Sequence, residues 1–310
     1  MKSLILALAL ALHLCAGCKE SAQINTPATE ILLFQDGFET SDGVFSSLFV
    51  EDGSRWSNLQ LVNPFAGPEN QVVLSSTKVH SGCYALEIVC HPSDSIVSKA
   101  DLEKYGFRLY AGDRVTISAW FYIEGLQNLQ SVFLIDLECI DCWDPSVPDN
   151  PAPGMRLMFS GGDDYLVVER GKIGLRGESL RQSSFHFPRN RWVELKWILD
   201  LSPNEDGKTE LYLDGQQILA ASGINMPNAD IFARIAEENG IDFQLQEPVY
   251  YERLQVGVTA NSGEDSVHIF LDDVSIGVIS GGAASRLYFY ESAHFLREPN
   301  AMKPRRRRWI

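Results

Sequence analysis

Positive charge is scarce in this chain. Lysine and arginine number 26 against 41 aspartates and glutamates, a formal net charge of −15. A phosphate backbone is held by a basic footprint, so a nucleic-acid partner is excluded. The basic cluster Arg305 to Arg308 reads as a solvated tail. Long apolar runs are as few. Leu4 to Leu14, broken only by His13, falls short of the ~20 residues that cross a bilayer, and no second such run follows. Cysteine and histidine are limited to six residues each. His80, His91, His186 and His268 show no metal-binding spacing, and no G-x-S-x-G motif supports Ser-His-Asp chemistry. The C-x-x-C at Cys139 and Cys142 has no second pair to complete a zinc site and no helix behind it as in a thioredoxin-like centre. Internal repeats are absent.

The first thirty residues predict export. Lys2 followed by the short apolar run has the form of a signal peptide over residues 1–17. Cys15-Ala16-Gly17-Cys18 resembles the lipobox of bacterial lipoproteins, in which the cysteine is acylated; Cys15 stands where that motif usually has leucine. Cys18 is the expected lipidation site, residues 18–29 a small, polar tether, and the location periplasmic or cell-surface, with the membrane reached through the lipid. Four cysteines then remain. Cys83 and Cys90 flank a strand-like segment that spans about 20 Å and keeps them apart. A local Cys139–Cys142 disulfide or one linked to Cys90 is expected.

Between residues 30 and 280 the apolar pattern has period two. Val115, Ile117, Ala119, Phe121 and Ile123 alternate with Thr116, Ser118, Trp120 and Tyr122; Val193, Leu195, Trp197 and Leu199 alternate with Trp192, Glu194, Lys196 and Ile198. One apolar face and one mixed face is the mark of antiparallel sheets packed on a core. Turn signals such as Asn204-Glu205-Asp206-Gly207 and Leu213-Asp214-Gly215 separate the strands. One helix is expected over Ala229–Glu238, capped by Asn228 and ended at Asn239-Gly240, inside an insertion. Residues 281–310 form a tail outside the domain.

Phe34-Gln35-Asp36-Gly37-Phe38-Glu39, Val79-His80-Ser81-Gly82-Cys83-Tyr84-Ala85-Leu86, Leu211-Tyr212-Leu213-Asp214-Gly215 and Ile269-Phe270-Leu271-Asp272-Asp273-Val274 together resemble the concanavalin-like superfamily of lectins, laminin-G modules, glucanases and polysaccharide lyases. The resemblance implies an all-β, two-sheet antiparallel jelly-roll sandwich. It also implies a structural Ca²⁺ where the first and last strands meet, held by Glu39 and Asp272, with Asp36 a further ligand. Two catalytic readings follow from the same family. Ser98-Lys99-Ala100-Asp101-Leu102-Glu103-Lys104 and Tyr251 to Val258 resemble two alginate-lyase strands, but Glu103 reverses the charge of one arginine position and Val258 replaces the catalytic tyrosine. A diverged lyase acting on an acidic glycan would rest on Lys99, Tyr122, Arg156 and Arg253. Leu134-Ile135-Asp136-Leu137-Glu138 resembles the glucanase E-x-D-x-E strand, with leucine where the nucleophile belongs.

Neither catalytic set is complete, and the expectation is a polysaccharide-binding protein without catalysis. Sugar rings stack on aromatic faces and bond to neighbouring polar groups. Trp120, Tyr122, Trp192 and Tyr212, flanked by Lys196, Arg156, Arg253 and Gln255, would form that surface if their strands lie side by side. A protein–protein adhesion module is the third reading.

Overall fold

The computed structural model describes residues 29–142, 152–161, 164–177, 179–181, 185–240 and 245–280. The expected signal peptide, Cys18, most of the tether and the tail from residue 281 lie outside the described residues. In chain order the strands are β1 (Thr29–Asp36), β2 (Asn58–Val62), β3 (Gln71–Ser75), β4 (Ala85–Cys90), β5 (Ser98–Lys104), β6 (Leu109–Tyr110), β7 (Arg114–Ile123) and β8 (Val132–Glu138). They continue with β9 (Gly154–Ser160), β10 (Tyr165–Glu169), β11 (Trp192–Asp200), β12 (Lys208–Leu213), β13 (Gln216–Ser222), β14 (Tyr250–Tyr251), β15 (Arg253–Asn261) and β16 (Val267–Ser280).

Two large antiparallel sheets face one another. The eight-stranded sheet runs β13-β12-β11-β7-β16-β4-β3, with β1 on β16; the six-stranded sheet runs β10-β9-β8-β15-β5-β2. β7 shows how the alternation builds the sandwich. Val115, Ile117, Ala119, Phe121 and Ile123 are buried in the core, while Trp120 and Tyr122 stand half-exposed on the outer face. Branched and aromatic side chains fit this pleated, one-sided burial. Leu254, Val256 and Val258 of β15 close the same core from the opposite sheet. At one end Trp56 stacks on Phe38 and takes the edge of Phe34 at 5.0 Å. This is the jelly-roll sandwich the sequence implies.

β8 departs from the alternation, because all seven of its residues are buried. Something polar covers its outer side, and that cover is the candidate site described below. Helix α1 (Ala229–Asn239) forms as expected: the Asn228 side chain accepts the Ile231 N–H, and Gly240 at φ 63° ends it. Its Ile231 and Ile235 press so closely on Gly174 that a Cβ there would lie 2.6 Å from Ile231 Cγ2. Gly174 closes the short 3₁₀ turn Gly171–Ile173, so the helix fixes the segment carrying Lys172.

Cys139 and Cys142 are joined, the local alternative of the two expected pairings. Cys83 is free and exposed; Cys90 is free and buried, and burial pushes its thiol up to about 12. No helix among the described residues is long and apolar enough to cross a membrane.

Candidate functional site

The outer face of the six-stranded sheet is floored by polar side chains rather than by loops. Register places Asn58 of β2 opposite Glu103 of β5, Glu103 opposite Gln255 of β15, Gln255 opposite Asp136 of β8, Asp136 opposite Arg156 of β9, and Arg156 opposite Glu169 of β10. One row of hydrogen-bonding groups thus crosses the whole sheet. At roughly 4.8 Å per strand gap it is about 24 Å long.

Glu103 is its hub. The carboxylate accepts from Asn58 Nδ2 at 2.8 Å, Gln60 Nε2 at 2.7 Å, Gln255 Nε2 at 2.8 Å, Tyr105 Oη at 3.3 Å and Arg253 at 3.2 Å. Arg253 also grips Glu138, and Lys172 reaches down from the 3₁₀ turn to Glu138 and, at 3.3 Å, to Asp136. Thr259 donates to the other oxygen of Asp136 at 2.8 Å. Arg156 pairs with Glu169 at 2.7 Å and lies 4.3 Å over the Phe133 ring. Burial sets the electrostatics: it lowers the Lys172 ammonium and raises the Tyr105 hydroxyl. It also holds Asp101, beside Glu103 on β5, well above the usual carboxylate range. Neither oxygen of the Asp101 carboxyl has a hydrogen-bond partner.

The aromatic residues expected to line the same surface stand on the other sheet. Trp120 and Tyr122 are on β7, Trp192 and Lys196 on β11, and Tyr212 on β12. Arg156, Arg253, Gln255 and Lys99 are on the six-stranded sheet, so the combined aromatic and charged groove does not exist. Alternation tells which side of a strand faces the core; it does not tell which sheet the strand joins. The aromatics satisfy one another. His80 stacks on Trp120 with ring centres 3.6 Å apart, Trp192 meets Tyr122 edge-on at 5.9 Å, and Lys78 lies 4.8 Å over Phe270. Tyr212 donates to Glu210 at 2.8 Å.

Neither enzyme set assembles. Tyr122 is a whole sandwich away from Lys99, Arg156 and Arg253, and Val258, where a lyase would place its tyrosine, is in the core. Leu134, at the glucanase nucleophile position, is also in the core. Asp136 and Glu138 do share a face, as their spacing requires, but Lys172 bonds to both.

The residues expected to hold calcium each have protein partners. Asp36 is gripped by Arg55 at 2.6 Å, and Glu39 accepts the Cys83 and Tyr84 N–H groups at 2.7 and 3.0 Å. Asp272 instead clusters with His80 and Asp273. Its carboxyl accepts the backbone N–H groups of His80, Ser81 and Asp273, and burial pushes it up to about 6. Among the described residues, the group of three ligand side chains within 4.8 Å of one another is His80, Asp272 and Asp273; Asp36 and Glu39 are not part of it.

Sequence reasoning missed Glu103 and Lys172 as parts of the site. Glu103 was visible as the third member of an alternating charged strand. Lys172 sits in a turn, where no periodicity marks it.

No family model matches the chain, and no curated protein matches it in sequence. Solved structures do. An endo-β-1,4-glucuronan lyase from the fungus Trichoderma reesei is 12% identical with a TM-score of 0.53, over 80% of this chain and 95% of that one. The cellulose-induced protein Cip1 is 16% identical with a TM-score of 0.48, over 78% of this chain and 96% of that one. A PL-14 alginate lyase from Aplysia kurodai is 14% identical with a TM-score of 0.49, over 79% and 98%. The likeness to the glucuronan lyase carries the fold alone: the chain is a two-sheet antiparallel jelly roll.

Proposed function

We propose that this is an exported, lipid-anchored protein that binds polysaccharide on the outer face of its six-stranded sheet, without catalysis of its own. The observation that carries the reading is the register-aligned row Asn58, Glu103, Gln255, Asp136, Arg156 and Glu169, in which exposed Asn58 and half-exposed Arg156 and Glu169 stand over a buried floor of Glu103, Gln255 and Asp136. Planar amide, carboxylate and guanidinium groups are the partners that vicinal hydroxyls meet in sugar sites, and their extended array suits a linear polymer better than a small ligand. The fold is shared with a protein whose name gives it glucuronan as substrate. β-Elimination needs a proton-abstracting group beside a cation that neutralises the uronate carboxylate. Tyr122 is on the opposite sheet, and the arginines on this one are held by carboxylates; Tyr105 does accept from Arg253 at 3.2 Å on this face, but its hydroxyl donates to Glu103 and burial raises its pKa, which keeps it a phenol.

A panel of insoluble polysaccharides tests the proposal, with retention measured by pull-down and chain cleavage by the ultraviolet absorbance of unsaturated uronate ends. Retention without absorbance growth is expected, lost in Asn58→Ala/Gln60→Ala. Absorbance growing with time would refute the non-catalytic part. Labelled palmitate incorporated in a bacterial host, and abolished by Cys18→Ala, is the expected result for the anchor.

A further inference from the structure

The charges and orphaned atoms of this face specify the kind of polysaccharide. Resting on the binding reading above, we infer that the site takes a neutral, hydroxyl-bearing glycan and turns polyuronates away.

The first ground is charge. Among the described residues, the cations bonded to the polar row and its neighbours are Lys99, Arg156, Lys172 and Arg253. Arg156 is paired with Glu169, Lys172 with Asp136 and Glu138, and Arg253 with Glu138 and Glu103. Lys99 donates to Gln60 Oε1 at 3.2 Å and lies on the same strand face as Asp101. Four carboxylates (Glu103, Asp136, Glu138 and Glu169) therefore balance four cations, and Asp101 can only add negative charge. A uronate polymer brings one carboxylate per sugar. It would have to break several of these pairs, each leaving a buried charge without its partner. The chain as a whole, at −15, adds repulsion at longer range.

The second ground is the unmet hydrogen-bonding capacity. Among the described residues, the buried side-chain atoms without a partner on the strands of this sheet are Asp101 Oδ1, Asp101 Oδ2 and Gln255 Oε1. Gln255 Oε1 is an acceptor, and Asp101, whose carboxyl burial holds well above the usual carboxylate range, keeps at least one acceptor oxygen in either protonation state. Gln255 already spends its amide N–H groups on Glu103 and Gln60, so its orphan is an acceptor by elimination. Gln60 stands directly opposite Asp101 in register, and its link to Lys99 is a single long bond. Gln60 also donates to Glu103 at 2.7 Å and accepts from Gln255 at 3.0 Å, so a ligand reaches these oxygens by exchanging its own hydroxyls for those bonds. A neutral glycan brings hydroxyl donors to these oxygens. A uronate puts an acceptor-only carboxylate where a neutral hexose carries a donor hydroxyl.

The test compares the full-length protein on neutral β-glucan and xylan with the same protein on alginate and polygalacturonate gels, each at low and high salt. Retention on a neutral polymer, changing less than about twofold with salt, is expected, because no counterions are released. Retention on the uronate gels, weakened about tenfold or more by salt, would overturn the inference while leaving the binding reading intact. Retention on neither class overturns the binding reading and this inference with it. Glu169→Gln keeps the side-chain shape but frees Arg156. It should add salt-sensitive retention on alginate; a folded Glu169→Gln protein that gains none would show that the paired cations are not what bars uronates.

Discussion

Glu103→Gln isolates the hub of the polar face. The substitution changes one oxygen to an amide nitrogen in a side chain only 2% exposed. The surviving oxygen can keep Gln60, Gln255 and Arg253, but the contact with Arg253 loses its charge, and the new N–H₂ faces the Asn58 amide, itself a donor. A buried hydrogen bond to a charged group contributes about 1.5–3 kcal/mol. Breaking a buried ion pair outright costs about 3–5 kcal/mol. Arg253 retains Glu138, so the lower part of that range applies and about 3 kcal/mol is expected. For a domain of this size that corresponds to a fall in Tm of about 6–12 °C. Urea unfolding of wild type and variant, followed by tryptophan fluorescence, measures it with an unchanged m-value. Glu210→Gln on the eight-stranded sheet is the control: its carboxylate is 20% exposed and 3.5 Å from Arg114, and a loss under about 1 kcal/mol is expected. A Glu103→Gln loss as small as the control's would refute the reasoning, because it would mean that water screens the floor of the face.

Glu252 holds the Ile140 and Asp141 N–H groups through one oxygen, while its buried second oxygen has no partner, and burial pushes it up to about 7 from 4.5. The native carboxyl therefore binds its proton more tightly than the unfolded one. Its stabilisation is whole below about pH 4.5 and declines by about 3 kcal/mol as pH rises through 7. Glu252→Gln should flatten that slope in unfolding curves taken across this window, and an unaltered slope would disprove the assignment. Trp120→Ala, with its ring already covered by His80, is expected to leave glycan retention within about twofold, well under 1 kcal/mol; a tenfold drop would return the site to the aromatic face. Iodoacetamide should label Cys83 in the native protein and Cys90 only after unfolding, as read by peptide mass. Because Asp36, Glu39 and Asp272 already have protein partners, EDTA and added calcium should leave Tm unchanged, and a calcium-dependent rise would support the ion that the resemblance implies.

The sandwich was legible because burial writes period two into single strands. The Val115–Ile123 and Trp192–Leu199 patterns identify their core faces without help from any partner, and Asn228 with Gly240 brackets the helix to within a residue. The candidate site was only half legible. Spacing along β8 puts Asp136 and Glu138 on one side, and spacing along β15 does the same for Arg253 and Gln255. That these two pairs are neighbours, and that Trp120 and Tyr122 are not, depends on which strands hydrogen-bond across distances of a hundred residues or more. Side-chain alternation carries no information on that. Sequence spacing also did not reveal the protein donors of the acidic residues expected to hold calcium, Arg55 for Asp36 and backbone N–H groups for Glu39.

β16 is the last described strand, yet it lies inside its sheet. It pairs with β7 along one edge, and with β4 and then β1 along the other, and the irregularity between Asp272 and Ser275 bends it between those partners. The sheet's middle is therefore delivered after both its flanks. Until residues 267–280 are available, β7 and β4 have no ladder between them and β1 has no partner, so the apolar faces of the earlier strands stay open. Such non-local closure makes folding slow and leaves the growing chain exposed to aggregation. It also keeps the polypeptide threadable to its end. A chain that must cross a membrane unfolded would gain from an architecture whose keystone arrives last.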